Sequence, residues 1–358
     1  MIKICMIIPD SQVQGGIAAV VNGYKGSELE KKYKIIYVES YKDGTKLAKF
    51  MKGIVGYLTF LKVLIVNRPD IVHVHSSFGS SFYRKMVFIY MASWAKKPII
   101  NHIHGADFDQ FYSNASARKR LRIKKVYNLC SKFIVLSEEW KLKISQIVNS
   151  SKIEVVENFS VLCEEALLQR VNRSSNKIVL FLGEIGKRKG CYDIPEVIKQ
   201  VTREIPDVKF VFGGTGDVQG IKKILLDLDI ERNTSFVGWV RGKEKEKLLK
   251  QADIFFLPSY HEGMPMAILD AMGYGLPVIS TNVGGIPKLV HAGENGFIFE
   301  PGDIKSYSEA ITNLFHNDEK LKTYSKRSFA LVKDQYSLNN SLSKLYKIYN
   351  RIGVKYDK

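Results

Sequence analysis

Short apolar runs alternate along this chain with longer stretches in which apolar residues recur every three or four positions. In the first half the runs are Ile2 to Ile8, Ile35 to Val38, Ile71 to His75, Ile99 to His102, Phe133 to Leu136 and Ile153 to Val156. Helical spacing fills the gaps over Gly16 to Leu29, Lys46 to Val66, Arg84 to Trp94, Ala117 to Cys130 and Glu138 to Val148. Strand and helix in alternation predict a parallel sheet covered by helices on both faces. The polar stretch Val161 to Asn176 reads as a linker. Beyond it the alternation restarts, with runs at Ile178 to Leu182, Val208 to Phe212, Thr234 to Val237, Ile254 to Leu257, Pro277 to Ser280 and Gly296 to Phe299. The pattern therefore predicts an α/β protein of two doubly wound, Rossmann-like units, residues 1–165 and 166–337. A closing helix follows within 338–358, where Leu342, Leu345, Ile348, Tyr349 and Ile352 fall at helical spacing. Open sheets bind ligands beyond the carboxyl ends of their strands, so function is expected in a central cleft faced by both units.

Composition narrows the class. A length of 358 residues suits two domains of roughly 150 to 200 residues each. The net charge of +18 favours acidic partners: nucleotide phosphates, anionic lipid headgroups or nucleic acid. Basic residues are dispersed and no nucleic-acid module is visible, so no nucleic-acid partner is expected. Cys5, Cys130, Cys163 and Cys191 lie far apart without a C-x-x-C pair, which argues for a reducing cytoplasm over a zinc cage or disulfide framework. The opening M-I-K-I-C-M-I-I-P-D reads as a first buried strand and not as a leader. The apolar stretches Ile54 to Val66 and Met86 to Ala95 fall short of a bilayer span, so no transmembrane helix is expected.

The candidate chemistry sits where strands end. Gly15-Gly16 follows the first strand and could let a phosphate approach backbone N–H groups, or be a plain turn. The loop G-E-I-G-K-R-K-G over Gly183 to Gly190 sets three cations between glycines, with Arg188 or Lys189 suited to a diphosphate; a solvated basic loop is the alternative. Gly213 to Asp217 permits close backbone approach but is no Walker loop. His102 and His104 form H-x-H at a strand end, and the expectation is that they point to opposite faces, which disfavours joint metal ligation. His104, beside Gly105, is the better candidate for site chemistry. Glu262 precedes a helix predicted to begin at Pro265, and Asp270 lies within it. Both could accept hydrogen bonds from sugar hydroxyls, or be merely a cap and a solvated carboxylate. The free N–H groups of that helix start would face an anion. No D-x-D cluster is read along the chain, so no essential metal is expected.

The stretch S-Y-H-E-G-M-P-M-A-I-L-D-A-M-G-Y-G-L-P-V-I-S-T-N-V-G-G-I-P resembles the donor-site signature of the retaining GT-B glycosyltransferases of family 4, the group 1 glycosyltransferases. The likeness extends to G-K-R-K-G, F-V-G-W-V and Gly15-Gly16. It implies a GT-B enzyme that moves a sugar from a nucleotide-sugar donor, UDP-linked, with retention of configuration and no cofactor. It implies that Glu262 contacts the donor sugar and Asp270 the ribose. Backbone N–H groups of Met264, Met266 and Ala267 would meet sugar and phosphates, and Arg188 and Lys189 would neutralise the departing diphosphate. Val240 would lie near the base, and His104 and Gly16 would face the transferred sugar and phosphate. It also implies that the C-terminal helix crosses back to the N-terminal, acceptor-binding domain. Two positions depart from the pattern: Asp270 replaces a glutamate, and Glu184 stands where many relatives carry arginine.

These departures motivate one alternative, an inactive GT-B-like nucleotide-binding subunit; a nucleotide-sugar epimerase of related fold, which needs no acceptor, is a second. For the acceptor, the basic run R-K-R-L-R-I-K-K over Arg118 to Lys125, with Lys96, Lys97 and the helix from Lys46, suggests contact with anionic lipid headgroups. A glycan or polyprenyl-diphosphate-linked acceptor is then expected, as in capsule or lipopolysaccharide assembly. The enzyme would be cytoplasmic and peripheral on the inner face of the plasma membrane.

Overall fold

The computed structural model describes residues 1–105 and 108–353, with only the backbone of residues 109 and 110. The chain divides into two compact units, Met1–Asn158 with the segment from Leu338, and Phe159–Ser337.

The first unit is a six-stranded, wholly parallel sheet of β1 (Lys3–Ile8), β2 (Lys34–Glu39), β3 (Ile71–Ser76), β4 (Ile99–Ile103), β5 (Lys132–Val135) and β6 (Ile153–Val155), in the order β2-β1-β3-β4-β5-β6. The second repeats the plan with β7 (Ile178–Leu182), β8 (Lys209–Gly213), β9 (Thr234–Gly238), β10 (Ile254–Leu257), β11 (Val278–Thr281) and β12 (Gly296–Phe299), in the order β12-β11-β10-β7-β8-β9. Helices cover each sheet, so central strands such as β1 and β10 are buried and almost continuously apolar, while β3, equally buried, carries His73, His75 and Ser76. That is why the apolar runs mark the strands to within a residue or so.

Four expectations about the helices need correction. The predicted helix Gly16 to Leu29 is two, Gly16–Tyr24 and Glu28–Lys32, because Gly26 takes a left-handed φ of 71° and Ser27 caps the second. The stretch read as a linker contains the helix Glu164–Asn172. Its buried Arg170 donates to the carbonyl oxygens of Leu249 (2.8 Å) and Ala252, contacts from about 80 residues away that no local polarity pattern reveals. The helix after Glu262 starts at Met266, not Pro265; the proline, at ψ 116°, is still extended and forms its N-cap. The helix Lys46–Lys62 runs on as a π-helical turn, Val63–Asn67, making 22 residues that are long and apolar enough to cross a membrane by length and composition alone. Counting only the run from Ile54 understated it, since the helix is continuous from its Thr45 cap whatever side chains interrupt the apolar run.

The C-terminal helix Leu338–Gly353 belongs to the first unit. Its Tyr349 hydroxyl lies 2.6 Å from His73 Nδ1, and Asn350 accepts from the Tyr33 hydroxyl at 2.8 Å.

Candidate active site

In the second sheet the strand order reverses between β7 and β10, which lie side by side. A crevice beyond the strand ends is expected at such a switch point. It is bordered by the loop 183–190 after β7 and the loop 258–265 after β10. Glycine lets these loops stack closely. Gly190 has φ 69°, and a Cβ there would sit 1.9 Å from the Pro258 carbonyl oxygen. Gly284 has φ 55°, and its Cβ would sit 1.9 Å from the Glu262 carbonyl oxygen, while the Gly285 N–H donates to the Gly263 carbonyl at 2.6 Å. The Gly-Gly pair after β11 thus clamps the backbone that carries Glu262.

Within this frame the charged candidates meet. The Lys189 ammonium donates to Glu262 Oε1, which also accepts from Ser259 Oγ at 2.9 Å. The Lys189 and Glu262 side chains are only 12% and 7% exposed, so the pair is largely out of water and each charge sits in a weakly screened setting. Arg188 is more open: it donates to the His261 carbonyl at 3.3 Å and pairs with Glu184 at 3.2 Å. Part of its charge is therefore offset by the residue that departs from the family pattern. Asp270 has both oxygens engaged, Oδ1 by Ser160 Oγ at 3.1 Å and Oδ2 by Lys245 at 2.5 Å. Ser160, Ser259 and Lys245 were not anticipated from the sequence. They come from 110, 3 and 25 positions away from their partners, with no shared motif to flag them.

Met264 is buried in the loop, and Met266 and Ala267 open the helix Met266–Gly273. No side chain caps this helix start. Its first N–H groups therefore keep hydrogen-bonding capacity for an anion, and the dipole adds partial positive charge. Val240, just past β9, packs toward Gly213 at the end of β8. The loops after β7 and β8 are zipped together by Gly183 N–H to Gly213 carbonyl (3.0 Å) and Ile185 N–H to Thr215 carbonyl (2.8 Å). The second unit thus gathers Arg188, Lys189, Glu262, Met264, Met266, Ala267, Asp270 and Val240 on the carboxyl-end loops and the helix of one sheet.

Gly16 and His104 belong to the first unit. Gly16 begins the helix after β1, which neighbours β3 where that sheet's order reverses. His104 follows β4 and joins a stack. The expectation that His102 and His104 point to opposite faces is wrong: strand side chains alternate, so positions i and i+2 share a face. Their rings stack with centroids 4.0 Å apart. His75, paired in register with His102, lies with Nδ1 3.0 Å from His104 Nε2, and His73 stacks on His75 at 4.4 Å. His73, His75 and His102 are fully buried, and burial drives each below the usual imidazole pKa, His73 to about 3. His104, partly exposed at the strand end, is also lowered, by burial first and then by Lys85. All four rings are thus neutral, and the hydrogen-bonded pair His75–His104 needs one donor and one acceptor nitrogen. Ring nitrogens of His73, His75 and His102 lie within 4.8 Å of one another. The rings are stacked at 11° to 35°, however, so their lone pairs run side by side instead of converging on a common ion. Above them Lys85, also buried, donates to Ser40 Oγ at 2.5 Å and to the Ile7 carbonyl at 3.2 Å.

The expectation of no metal rested on the chain lacking a D-x-D cluster, and that premise is wrong: the spacing occurs twice. Asp107 of the first instance, Asp107 to Asp109, lies outside the described residues. The second, Asp227 to Asp229, closes the helix Val218–Asp227, at the end opposite the strand-end loops.

Two family models match in tandem, Glycosyltransferase Family 4 over residues 19–159 and Glycosyl transferases group 1 over residues 164–330. The chain belongs to the group 1, family 4 glycosyltransferases. Among curated relatives, this glycosyltransferase is 26% identical to the UDP-Gal:alpha-D-GlcNAc-diphosphoundecaprenol alpha-1,3-galactosyltransferase of Escherichia coli, over 96% of this chain and 90% of the relative. It is also 26% identical to an uncharacterised 41.2 kDa protein in the cps region of Klebsiella pneumoniae, covering 94% and 98%. Two solved structures share its fold. They are sucrose-phosphate synthase of Thermosynechococcus elongatus (TM-score 0.79, 14% identity, 99% and 100% covered) and Anabaena HepE in complex with UDP (TM-score 0.72, 15% identity, 98% and 100% covered). The two-unit α/β architecture of this glycosyltransferase is GT-B.

Proposed function

We propose that this glycosyltransferase moves a hexosyl group from a UDP-sugar to a glycan or polyprenyl-diphosphate-linked acceptor, with retention of anomeric configuration, in the assembly of a surface polysaccharide. The observation that carries the reading is the buried Lys189–Glu262 pair beside an uncapped helix start at a sheet switch point. As the anomeric carbon separates from UDP, negative charge grows on the diphosphate and positive charge on the sugar ring. Lys189, Arg188 and the N–H groups of Met266 and Ala267 stabilise the first, and Glu262, accepting from sugar hydroxyls, orients the second. Because these groups are fixed before reaction, they favour the transition state over the ground state. The charge they supply is the work a divalent ion would otherwise do, so transfer proceeds without an essential metal. Asp270 takes the ribose, and Val240 lines the base. The first unit takes the acceptor, with Gly16 and the neutral His104 at its strand ends, and works from the cytoplasm against the inner face of the plasma membrane. The names of the relatives support the donor and acceptor classes: one includes UDP-Gal and a diphosphoundecaprenol acceptor, and another structure holds UDP.

The Glu184–Arg188 pair, which offsets one of the two cations, favours a second reading as a nucleotide-binding subunit without turnover. UDP release from a panel of UDP-sugars separates the two. Turnover that Glu262→Ala lowers by about 100-fold or more, with nucleotide binding retained, is expected of the enzyme. UDP binding without turnover on any donor and acceptor would establish the subunit reading instead.

A further inference from the structure

The helix Lys46–Lys62, with its π-helical extension Val63–Asn67, is built inside out. A helix on a soluble α/β unit normally turns its large apolar residues to the sheet and its polar ones to water. Here the inward side is Gly53, Gly56, Phe60 and Val63. Gly56 sits so close to β2 that a Cβ would fall 2.7 Å from the Glu39 carbonyl oxygen and 3.3 Å from Ser40 Cα. The outward side carries Leu47 (70% exposed), Phe50 (65%), Leu58 (63%), Leu61 (46%), Ile65 (63%) and Val66 (66%). At 3.6 residues per turn the first five fall within an arc of roughly 80° opposite Gly56. Burial against the sheet therefore does not explain these residues, and contiguous apolar surface of this kind marks an interaction site.

We propose that this helix is an interfacial membrane anchor, lying in the bilayer surface with Phe50, Leu58 and their neighbours among the acyl chains. The inference deepens, and rests on, the membrane-facing part of the proposed function. Topology decides that the helix lies on the bilayer and does not cross it. β2 before it and β3 after it both pair with β1 in one sheet, and Gly56 holds the helix against the end of β2. Both ends are thus tied to the same face of the unit. Charge selects the occupant. From Lys46 to Arg68 the chain has no acidic residue and carries Lys46, Lys49, Lys62 and Arg68, besides Lys52, which pairs inward with Asp10 and Glu39. The neighbouring helix Ser80–Trp94 ends in Trp94, 79% exposed, and next to it the helix Ala117–Asn128 exposes Arg118, Arg120, Arg122, Lys124 and Lys125. An apolar strip bordered by cations and an interfacial aromatic fits an anionic lipid surface. A second copy of the chain would set the same cations against each other.

The test is flotation of the full-length protein with vesicles that are one part anionic phosphatidylglycerol in a phosphatidylcholine background, and with pure phosphatidylcholine. Wild type should float with the anionic vesicles and retain part of its binding in about 1 M salt, where the Debye length is roughly 3 Å. Phe50→Ser/Leu58→Ser should lower partitioning by about 100-fold, and Ile65→Ser/Val66→Ser independently by a similar factor. Release of UDP from soluble donor should be unchanged in both. Phe50→Trp should show blue-shifted emission that brominated acyl chains quench. Binding that salt abolishes and serine variants leave intact would overturn insertion while keeping a headgroup contact. Absence of any vesicle binding by wild type would overturn the membrane-facing reading with it. A solution dimer that the serine variants dissociate, with no vesicle binding, would reassign the face to self-association and overturn the proposal.

Discussion

Lowering the pH from 7.5 to 5.5 should destabilise the first unit by about 4 kcal/mol through its histidine stack alone. His73, His75 and His102 are fully buried and held neutral in the fold, His73 with a pKa of about 3 and the others well below 6.5. In the unfolded chain each titrates near the ordinary value of 6.5. Between these limits the unfolded state binds more protons, so stability is complete above pH 6.5 and falls as the pH drops toward the folded value. One pH unit below 6.5, each ring contributes about 1.4 kcal/mol of loss, a figure that no longer depends on how far the folded pKa is depressed. Three rings give roughly 4 kcal/mol, a large part of the ~5–15 kcal/mol that holds an ordinary domain together. His104 is omitted from the sum because it is partly exposed. The buried Lys85 adds its own pH dependence, so the decisive measurement is a difference. His102→Leu removes a ring with neither nitrogen hydrogen-bonded, and should flatten the change between the two pH values by about 1.4 kcal/mol. Denaturant unfolding followed by Trp140, buried in the first unit's core, reads it directly. An unchanged pH dependence in His102→Leu would refute the reasoning, since the ring would then not be held neutral by burial.

The remaining predictions concern the second unit. Gly284→Ala places a side chain where φ is 55° and the Glu262 carbonyl oxygen is 1.9 Å away. It should cost about 1–2 kcal/mol in backbone strain alone and, by shifting Glu262, lower kcat by about 100-fold; normal kcat with a lowered Tm would show that the clamp does not position Glu262. Asp270→Ala should raise the donor KM by about tenfold with little change in kcat, because it removes a hydrogen-bonding partner and frees Lys245, whereas an equal fall in kcat would move Asp270 into the chemistry. Transfer should persist after dialysis against EDTA. Loss of activity restored by one divalent ion would show that a metal, and not Lys189 with Arg188, carries the charge of the leaving group.

How much of this was legible beforehand depends on whether the signal is local. The strands were, because strands buried on both faces are largely apolar, and Gly and Pro punctuate their ends. So was the Glu262 loop with its following helix, whose residues are contiguous in sequence. The helix Glu164–Asn172 was not, since its polar surface resembles a linker until the carbonyl groups near Leu249 and Ala252 bring Arg170 inside. The outward face of Lys46–Asn67 escaped for a related reason: periodicity shows which residues share a side, but only the packing of Gly56 on β2 shows which side faces in.

The sequence by itself determined the two-unit α/β plan, the family and the glycine loops, because these rest on alternation, spacing and contiguous motifs. Tertiary structure alone decided the partners. Lys189 meets Glu262 across 73 positions, Ser160 meets Asp270 across 110, and β3 and β4 pair so that four histidines share one face. Charges and ring nitrogens act over a few ångströms, and which groups come that near is set by strand order and register, quantities that appear only when the chain is folded.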